Sequence, residues 1–326
     1  MLSTTTIFKL FYIKPDTLKP SNIMKKDLGF LQKLVRLYTF YSPFRKGKYR
    51  LAVAALNLEK HAPDEILADV RDGRKLLVNP TSLSYRFVYF LGEYEPSITR
   101  IISQLVQPGD ICLDVGANIG WYTTLLQKIV GNDGSVHAFE PVPNVYEKLR
   151  RNVSHNEPPS NVKINNLALG NTEKIVDLHI FANLPEGHHS IATFDNTEYE
   201  SFSCRMITLD SYLTENQIGE VNFVKVDIEG AEMMMLEGAN TLFKQKRPPI
   251  WEIEMALETT RGFDYLPNDL IEYIRGKADY EFYAIDEINF GLHRIENFSS
   301  EDKGANVLCL PKGHYHERLV QLKLKS

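Results

Sequence analysis

Between residues 111 and 256 the apolar positions switch repeatedly between two periods. ICLDVGA is a short, nearly continuous apolar run, the mark of a buried strand. After it, Trp121, Tyr122, Leu125, Leu126 and Ile129 recur at helical spacing, so a helix is predicted from near Asn118 to a stop at Gly131-Asn132-Asp133-Gly134. SVHAFEP predicts the second strand and PNVYEKLRRNVSHN the next helix. NVKINNLALG predicts a third strand, VNFVKVDIEG a fourth with the helix AEMMMLEGANTLF behind it, and PPIWEIEMA a fifth. Strands alternating with helices predict an α/β fold with a mostly parallel central sheet and helices on both faces. KIVDLHIF and FSCRMITLDSYL read as further strands, the second leading into a short helix, and YEFYAID and ANVLCLPK as a closing antiparallel pair. Upstream, ADVRDGRKLLVNP predicts a hairpin turning at Asp72-Gly73. YRFVYFLGEYEP ends in a loop from Gly92 to Pro96, and SITRIISQLVQPGD is an amphipathic helix closed by Pro108-Gly109. Residues 1–60 look helical or irregular. The chain thus divides into an N-terminal extension, 1–60, and one domain, 61–326.

Composition narrows the class. With 43% hydrophobic and 24% charged residues, the 326-residue chain has the makeup of a globular protein with a sizeable core. A net charge of -5 gives no argument for a nucleic-acid partner. Cys112, Cys204 and Cys309 are far apart and odd in number, in apolar or strand-like runs. They predict core residues in a reducing compartment, with no metal site or disulfide framework. No apolar run reaches the ~18 residues that span a bilayer, and the N-terminus lacks a signal peptide's apolar core and cleavage site. A cytoplasmic protein is expected. Charge is nonetheless uneven: residues 1–50 hold eleven Lys and Arg against Asp16 and Asp27, a net +9 that leaves -14 for the remainder. In LQKLVRLYTFYSPFRKGKYR these cations mix with aromatics, a pattern that suits peripheral contact with the inner face of an anionic membrane. A solvated extension, or one packed on the main domain, fits the same residues.

DVGANIGWYT, residues 114–123, carries the candidate chemistry. Asp114 ends a strand, Gly116 can adopt backbone angles closed to other residues and leaves room for a ligand, Ala117 keeps the turn small, and Gly120 lets the helix start pack against the strand. Strand, tight turn and helix fit either a dinucleotide or S-adenosylmethionine. The dinucleotide fingerprint G-x-G-x-x-G lacks its middle glycine here, where Asn118 stands. A carboxylate at Asp114 would disfavour a pyrophosphate and suit a ligand with an ammonium and a sulfonium. Glu140 ends the next strand, where an acid accepts ribose hydroxyls in either ligand class. In VKVDIEGAE, Asp227 and Glu229 end the fourth strand, on one side of it if the strand runs that far. Lys225 is positioned to neutralise one of them.

GEYEP, PGDICLDVGANIGWYT, GSVHAFEPVPNVYEKLRRNV, NLALG, ITLDSYL, VKVDIEGAEMMMLEGA, IWEIE and NVLCLPK occur in this order over residues 70–312. Together they resemble the FkbM family of S-adenosylmethionine-dependent methyltransferases, with a class I, Rossmann-like fold. The combination of DVGANIG, AFEP and VDIEGAE is far more specific than any one glycine motif. The resemblance implies that Asp114, Gly116, Ala117, Asn118 and Gly120 line the methionine and ribose parts of the cofactor and that Glu140 holds the ribose. It implies Asn166 or Ala168 near the adenine edge, Asp227 beside the methionine or the acceptor, and Tyr94 and Glu95 covering the cofactor. In WEIE, Glu252 is the first choice for the family acid and Glu254 the second. Trp121 and Tyr122 fit either the cofactor site or the core. A hydroxyl acceptor calls for a general base, with Asp227, Glu229, Glu252 and His188, from the loop NLPEGHHS, as candidates. The expected activity is O-methylation of a sugar, glycan or small metabolite; the acceptor class comes from the resemblance alone. N-methylation and a lipid-linked acceptor stay open, as do a nicotinamide-dependent oxidoreductase and a non-catalytic cofactor-binding scaffold. Oligomeric state is not legible.

Overall fold

A computed structural model of the protein describes residues 29–44, 47–57, 63–82, 85–157, 161–181, 189–190, 199–287, 290–320, 322 and 324–325. Helices α1 (Phe30–Tyr41) and α2 (Lys48–Asn57) come first, then strands β1 (Ile66–Asp69) and β2 (Lys75–Val78), α3 (Arg86–Leu91) and α4 (Pro96–Leu105). The alternating region follows as β3 (Ile111–Val115), α5 (Trp121–Val130), β4 (Ser135–Phe139), α6 (Pro143–Ser154), β5 (Val162–Asn165), β6 (Ala168–Leu169), β7 (Lys174–Phe181), β8 (His189–Ser190) and β9 (Tyr199–Ile207). Next come α7 (Leu209–Glu215), β10 (Phe223–Val226), α8 (Glu232–Glu237), α9 (Asn240–Phe243), β11 (Ile250–Ala256), α10 (Leu257–Thr260) and α11 (Pro267–Lys277). The chain closes with β12 (Tyr280–Asp286), β13 (Gly291–Ile295), β14 (Gly304–Pro311), α12 (His316–Leu319) and β15 (Leu324–Lys325).

The apolar runs build one sheet in the order β15-β13-β12-β14-β11-β10-β3-β4-β5. From β5 to β11 neighbouring strands are parallel, and β11, β14, β12 and β13 pair antiparallel. The chain winds outward from β3 to β5, then returns to the other side of β3 as β10. That reversal puts the topological switch point, where open α/β sheets bind ligands, at the carboxyl ends of β3 and β10. The mostly parallel α/β sheet expected from the sequence is therefore present. Its central strands are buried on both faces, with β10 wholly inside, which explains their near-continuous apolar character. All three cysteines are buried and free.

Several local expectations need correction. The helix predicted from near Asn118 begins at Trp121, because Asn118 (φ 49°) and Gly120 (φ 92°) are left-handed and cannot continue a right-handed helix. NVKINNLALG is not one strand. It leaves the main sheet after Asn165, and Ala168 and Leu169 pair with β9 in a second, four-stranded sheet ordered β6-β9-β7-β8. The closing pair of strands gains β13 between its members in sequence, as a hairpin partner of β12.

The hairpin forms as predicted, in register Ile66↔Val78 to Asp69↔Lys75. The N-terminal helices pack against it and against α3. The Thr39 hydroxyl donates to the Phe90 carbonyl at 2.6 Å, Arg36 Nε to the Tyr89 carbonyl at 3.1 Å, and Arg36 pairs with Asp69 at 3.0 Å. Ala52 and Ala55 of α2 join the same buried apolar cluster as Leu76, Phe90 and Ile102. From Phe30 onward, then, the segment expected as an extension packs on the domain; residues 1–28 lie outside the described ones.

Candidate functional site

The turn after β3 is held by its own backbone. The amides of Gly116 and Ala117 both donate to the Phe139 carbonyl, at 3.1 and 2.9 Å. The Asn118 amide donates to Glu140 Oε2 at 2.9 Å, and the Val142 amide to Glu140 Oε1 at 2.8 Å. Glu140 is fully buried, and burial pushes its carboxyl up to about 8 against the lowering effect of those two amides. It therefore clamps the turns at the ends of β3 and β4. Asn118 accepts from the Ile119 amide through Oδ1 at 2.8 Å, the bond that lets an Asn sit in the left-handed region.

Two glycine expectations change. A Cβ on Gly116 would lie 1.8 Å from the carbonyl oxygen of Asp227, so the space it leaves is filled by the neighbouring turn rather than by a ligand. A Cβ on Gly120 would lie 2.6 Å from Leu149 Cδ1, so Gly120 makes room for α6 rather than for the strand. Ala117 is buried with Ala138, Leu149 and Val153, and only its backbone belongs to the turn.

Charge gathers one strand over. In the sheet register Lys225 of β10 stands between Asp114 of β3 and Glu252 of β11, three ionisable residues in one row across adjacent strands. Lys225 is buried; its Nζ donates to Asp227 Oδ2 at 2.9 Å, lies 3.9 Å from Glu252 Oε2, and sits 4.7 Å from the centre of the Tyr122 ring. Burial opposes its charge, but Asp227, Glu252, Glu95 and Asp114 outweigh that and hold its pKa above the ordinary lysine value. Asp114 accepts from the Thr123 hydroxyl through Oδ2 at 2.5 Å, while its buried Oδ1 has no hydrogen-bond partner among the described residues. Burial raises its pKa, with Lys225 opposing. Glu252 is fully buried, neither oxygen has a hydrogen-bond partner among the described residues, and burial pushes it up to about 8.

The remaining carboxylates rim this row. Glu95, left-handed at φ 42°, accepts from the Tyr122 hydroxyl at 2.6 Å, and burial pushes it up to about 7. Tyr94 packs near Trp121 with ring centres 5.8 Å apart, and burial raises its phenol. Asp227 is about a third exposed. Beyond it β10 has ended and Glu229 sits on a left-handed turn, φ 54°, so strand alternation does not extend to it. Burial, then Asp227 and Glu232, raise the Glu229 carboxyl, and Glu254 is raised by burial and by Asp227, Glu229 and Glu232. Glu232 is buried and shapes this second turn, accepting from the amides of Ile228 and Gly230, both at 3.1 Å, and from the Tyr265 hydroxyl at 2.9 Å.

The structure thus brings Glu95, Asp114, Asp227, Glu229 and Glu252 together at the switch point. Asn166 is exposed and its amide nitrogen donates to the carbonyls of Glu140 and Pro141, both at 2.9 Å, while Ala168 is buried in the apolar core of the second sheet. His188 lies outside the described residues. Among the described residues no three or more His, Cys, Asp and Glu side chains group as metal ligands. The expected pairing of Lys225 with one of the two acids is present, at Asp227; sequence reasoning missed Asp114 and Glu252 on either side of Lys225, the Tyr122 hydroxyl and the bracing role of Glu232. A lysine inside an otherwise apolar central strand was the available signal, since such a charge must have partners.

A profile of the methyltransferase FkbM domain matches residues 114–282, from the acid that begins the first turn to the strand beyond α11. The chain belongs to the FkbM methyltransferase family. Members of this family draw the methyl group from S-adenosylmethionine, and the site fits that molecule. It offers surplus carboxylates and buried, unpartnered oxygens on Asp114 and Glu252 to a ligand carrying an ammonium and a sulfonium. Among similar proteins, the hexuronic acid methyltransferase AglP of Haloferax volcanii is 24% identical over 164 residues, half of this chain and 64% of its own length. The methyltransferase sdnD of Sordaria araneosa is 27% identical, covering 47% of this chain and 73% of its own. A crystal structure of the methyltransferase FkbM of Methylobacillus flagellatus superposes with a TM-score of 0.40 at 17% identity, over 69% of this chain and 52% of that one.

Proposed function

We propose that this FkbM-family protein transfers the methyl group of S-adenosylmethionine to a hydroxyl oxygen of a sugar, a glycan or another small metabolite. The observation that carries the reading is the ring of carboxylates around Lys225 at the switch point, with oxygens of Asp114 and Glu252 left without hydrogen-bond partners among the described residues. Four acids facing one buried lysine favour a cationic ligand. The sugar class is supported by the name of the Haloferax relative.

When bound, S-adenosylmethionine supplies a methyl group activated by a positively charged sulfur. The chain's own residues hold the reactants, exclude water and take the acceptor's proton. Asp114 and the turn clamped by Glu140 bind the donor side. Tyr94 and Glu95 would cover it, and Asp227 would lie beside the methionine or the acceptor. Alignment of the reacting atoms is worth up to ~7–11 kcal/mol. Glu252, fully buried beside Lys225 on the neighbouring strand, acts as a positioning residue. Glu229 is the base: half-buried on the open rim, its carboxyl raised by burial and by Asp227, it takes the hydroxyl proton more readily than an ordinary carboxylate. A nicotinamide dinucleotide suits this site poorly. The amides of Gly116, Ala117 and Asn118 are already bonded to Phe139 and Glu140, so none of these three is offered to a pyrophosphate, and the surround is acidic.

Calorimetry with S-adenosylhomocysteine and with NAD, beside methyl transfer to a sugar panel, tests this reading. Wild type should bind S-adenosylhomocysteine alone; Glu140→Ala should weaken that binding about 10–100-fold. Glu229→Gln should lower kcat by about 10²–10⁴-fold while keeping the affinity for S-adenosylhomocysteine. Binding of NAD, or of neither ligand, would sink the proposal. Full turnover in Glu229→Gln would remove Glu229 as the base.

A further inference from the structure

Helix α1 is turned inside out. The residues it buries are Gln32 and Thr39, with Arg36 half-buried beside them, at helical spacing on one face. They bond inward: Gln32 Nε2 to the Ala55 carbonyl at 3.1 Å, Arg36 to the Tyr89 carbonyl, and the Thr39 hydroxyl to the Phe90 carbonyl. The face turned outward holds Phe30, Leu31, Leu34, Leu37, Tyr38 and Tyr41, with Phe30 79%, Leu37 58% and Tyr41 74% exposed. Phe44, just past the helix end, is 72% exposed. A helix in water buries its apolar stripe, and a contiguous exposed patch of this kind marks a docking surface.

Charge selects the occupant. Residues 29–57 contain no Asp or Glu and six Lys and Arg. A second copy docking through the same patch would bring two such acid-free, cationic segments face to face. Residues 1–28 carry five Lys against two Asp and offer no complementary charge. We propose that α1 lies in the surface of an anionic lipid bilayer, its Phe, Leu and Tyr face sunk among the acyl chains and the exposed cations Lys33 and Arg50 near the headgroups. At about 1.5 Å per residue α1 is roughly 18 Å long and lies on the bilayer rather than crossing it. No helix of the described residues is long and apolar enough to cross. The same helix braces the site: a Cβ on Gly92 would lie 2.3 Å from the ring of Phe40, and Gly92 opens the loop that carries Tyr94 and Glu95.

The test is co-sedimentation of the full chain with phosphatidylcholine vesicles that either contain or lack a one-third share of phosphatidylglycerol. The protein should pellet with the anionic vesicles only, and less at high salt. Leu34→Glu/Leu37→Glu should abolish pelleting. Phe30→Ser/Tyr41→Ser should weaken it about tenfold or more; its two most exposed side chains keep the test alive should the first variant misfold. Far-UV circular dichroism and S-adenosylhomocysteine affinity should be unchanged in the variants used. The proposal is overturned if the protein stays in the supernatant, if it pellets equally with neutral vesicles, or if folded variants pellet like wild type. It is also overturned by a lipid-free dimer that Leu34→Glu/Leu37→Glu converts to a monomer, because a second copy would then be what covers the stripe.

Discussion

Two turns meet at the switch point, one after β3 and one after β10, and they solve different problems. Each starts with an aspartate and holds a glycine of positive φ, Gly116 in the first and Gly230 in the second. In the first, the polar groups are taken up within the protein: three successive amides bond to Phe139 and Glu140, and Asp114 is buried against Thr123. In the second, Glu232 accepts from two backbone amides and the Tyr265 hydroxyl donates to the Gly230 carbonyl, and Asp227 and Glu229 are left partly open on the rim. The first is a mould and the second is a source of charge. They are locked together where Gly116 lies against the Asp227 carbonyl. Similar strand-end patterns in the sequence thus conceal a division of labour between rigidity and electrostatics.

Removing the charge that links the two turns should have the largest effect. Lys225→Met leaves Asp227, Glu252, Glu95 and Asp114 without their shared cation, and losing one partner of a buried ion pair costs about 3–5 kcal/mol. The carboxylates can respond by taking up protons, so urea unfolding should give a larger loss near pH 8 than near pH 5. An equal loss at both pH values would mean that Lys225 contributes packing rather than charge. The glycines come next. Gly116→Ala forces a Cβ onto backbone at 1.8 Å with φ at 82°, and a loss of about 3 kcal/mol is expected. Gly120→Ala meets only the end of the Leu149 side chain, which can move, and should cost about 1–2 kcal/mol. Equal losses, read from thermal melts, would break the claim that the interlock lies at Gly116.

What the sequence disclosed and what it hid divides along the same line. DVGANIG was legible as strand, acid and tight turn because every cue is local: an apolar run, small residues, then helical spacing. Glu140 was legible as a strand-end acid, but its two amide partners belong to the turn geometry and left no trace in the pattern. The row Asp114, Lys225 and Glu252 could not be read, because it arises from register between strands more than a hundred residues apart at β3 and β10. NVKINNLALG was misread as a single strand because apolar alternation does not record that the chain changes sheets after Asn165. In α1 the composition flagged basic and aromatic residues, yet which side faced the protein was decided by hydrogen bonds of Gln32, Arg36 and Thr39 to carbonyls of α2 and α3.

The smallest predicted effect is also a test of where the proton load sits. Burial pushes Glu140 and Glu252 up to about 8 and Glu95 up to about 7, well above an unfolded glutamate near 4.5. A raised carboxyl keeps its proton in the folded chain after the unfolded chain has released it. Stability from these groups is therefore complete below about pH 4.5 and is lost as pH rises through about 7 and 8. Each retained proton tilts the stability by at most about 1.4 kcal/mol per pH unit. The melting temperature of the ligand-free protein should fall between about pH 5 and pH 8.5, and Glu252→Gln, which removes a titrating group of β11 from the charged row beside the second turn, should flatten that fall. Glu140→Gln should flatten it as well, but at the expense of the first turn, because an amide nitrogen would face the Asn118 or Val142 N–H that a carboxylate oxygen now accepts. If Glu252→Gln leaves the slope untouched while Glu140→Gln abolishes it, the excess protons reside in the mould rather than in the charged turn, and the division of labour between the two must be redrawn.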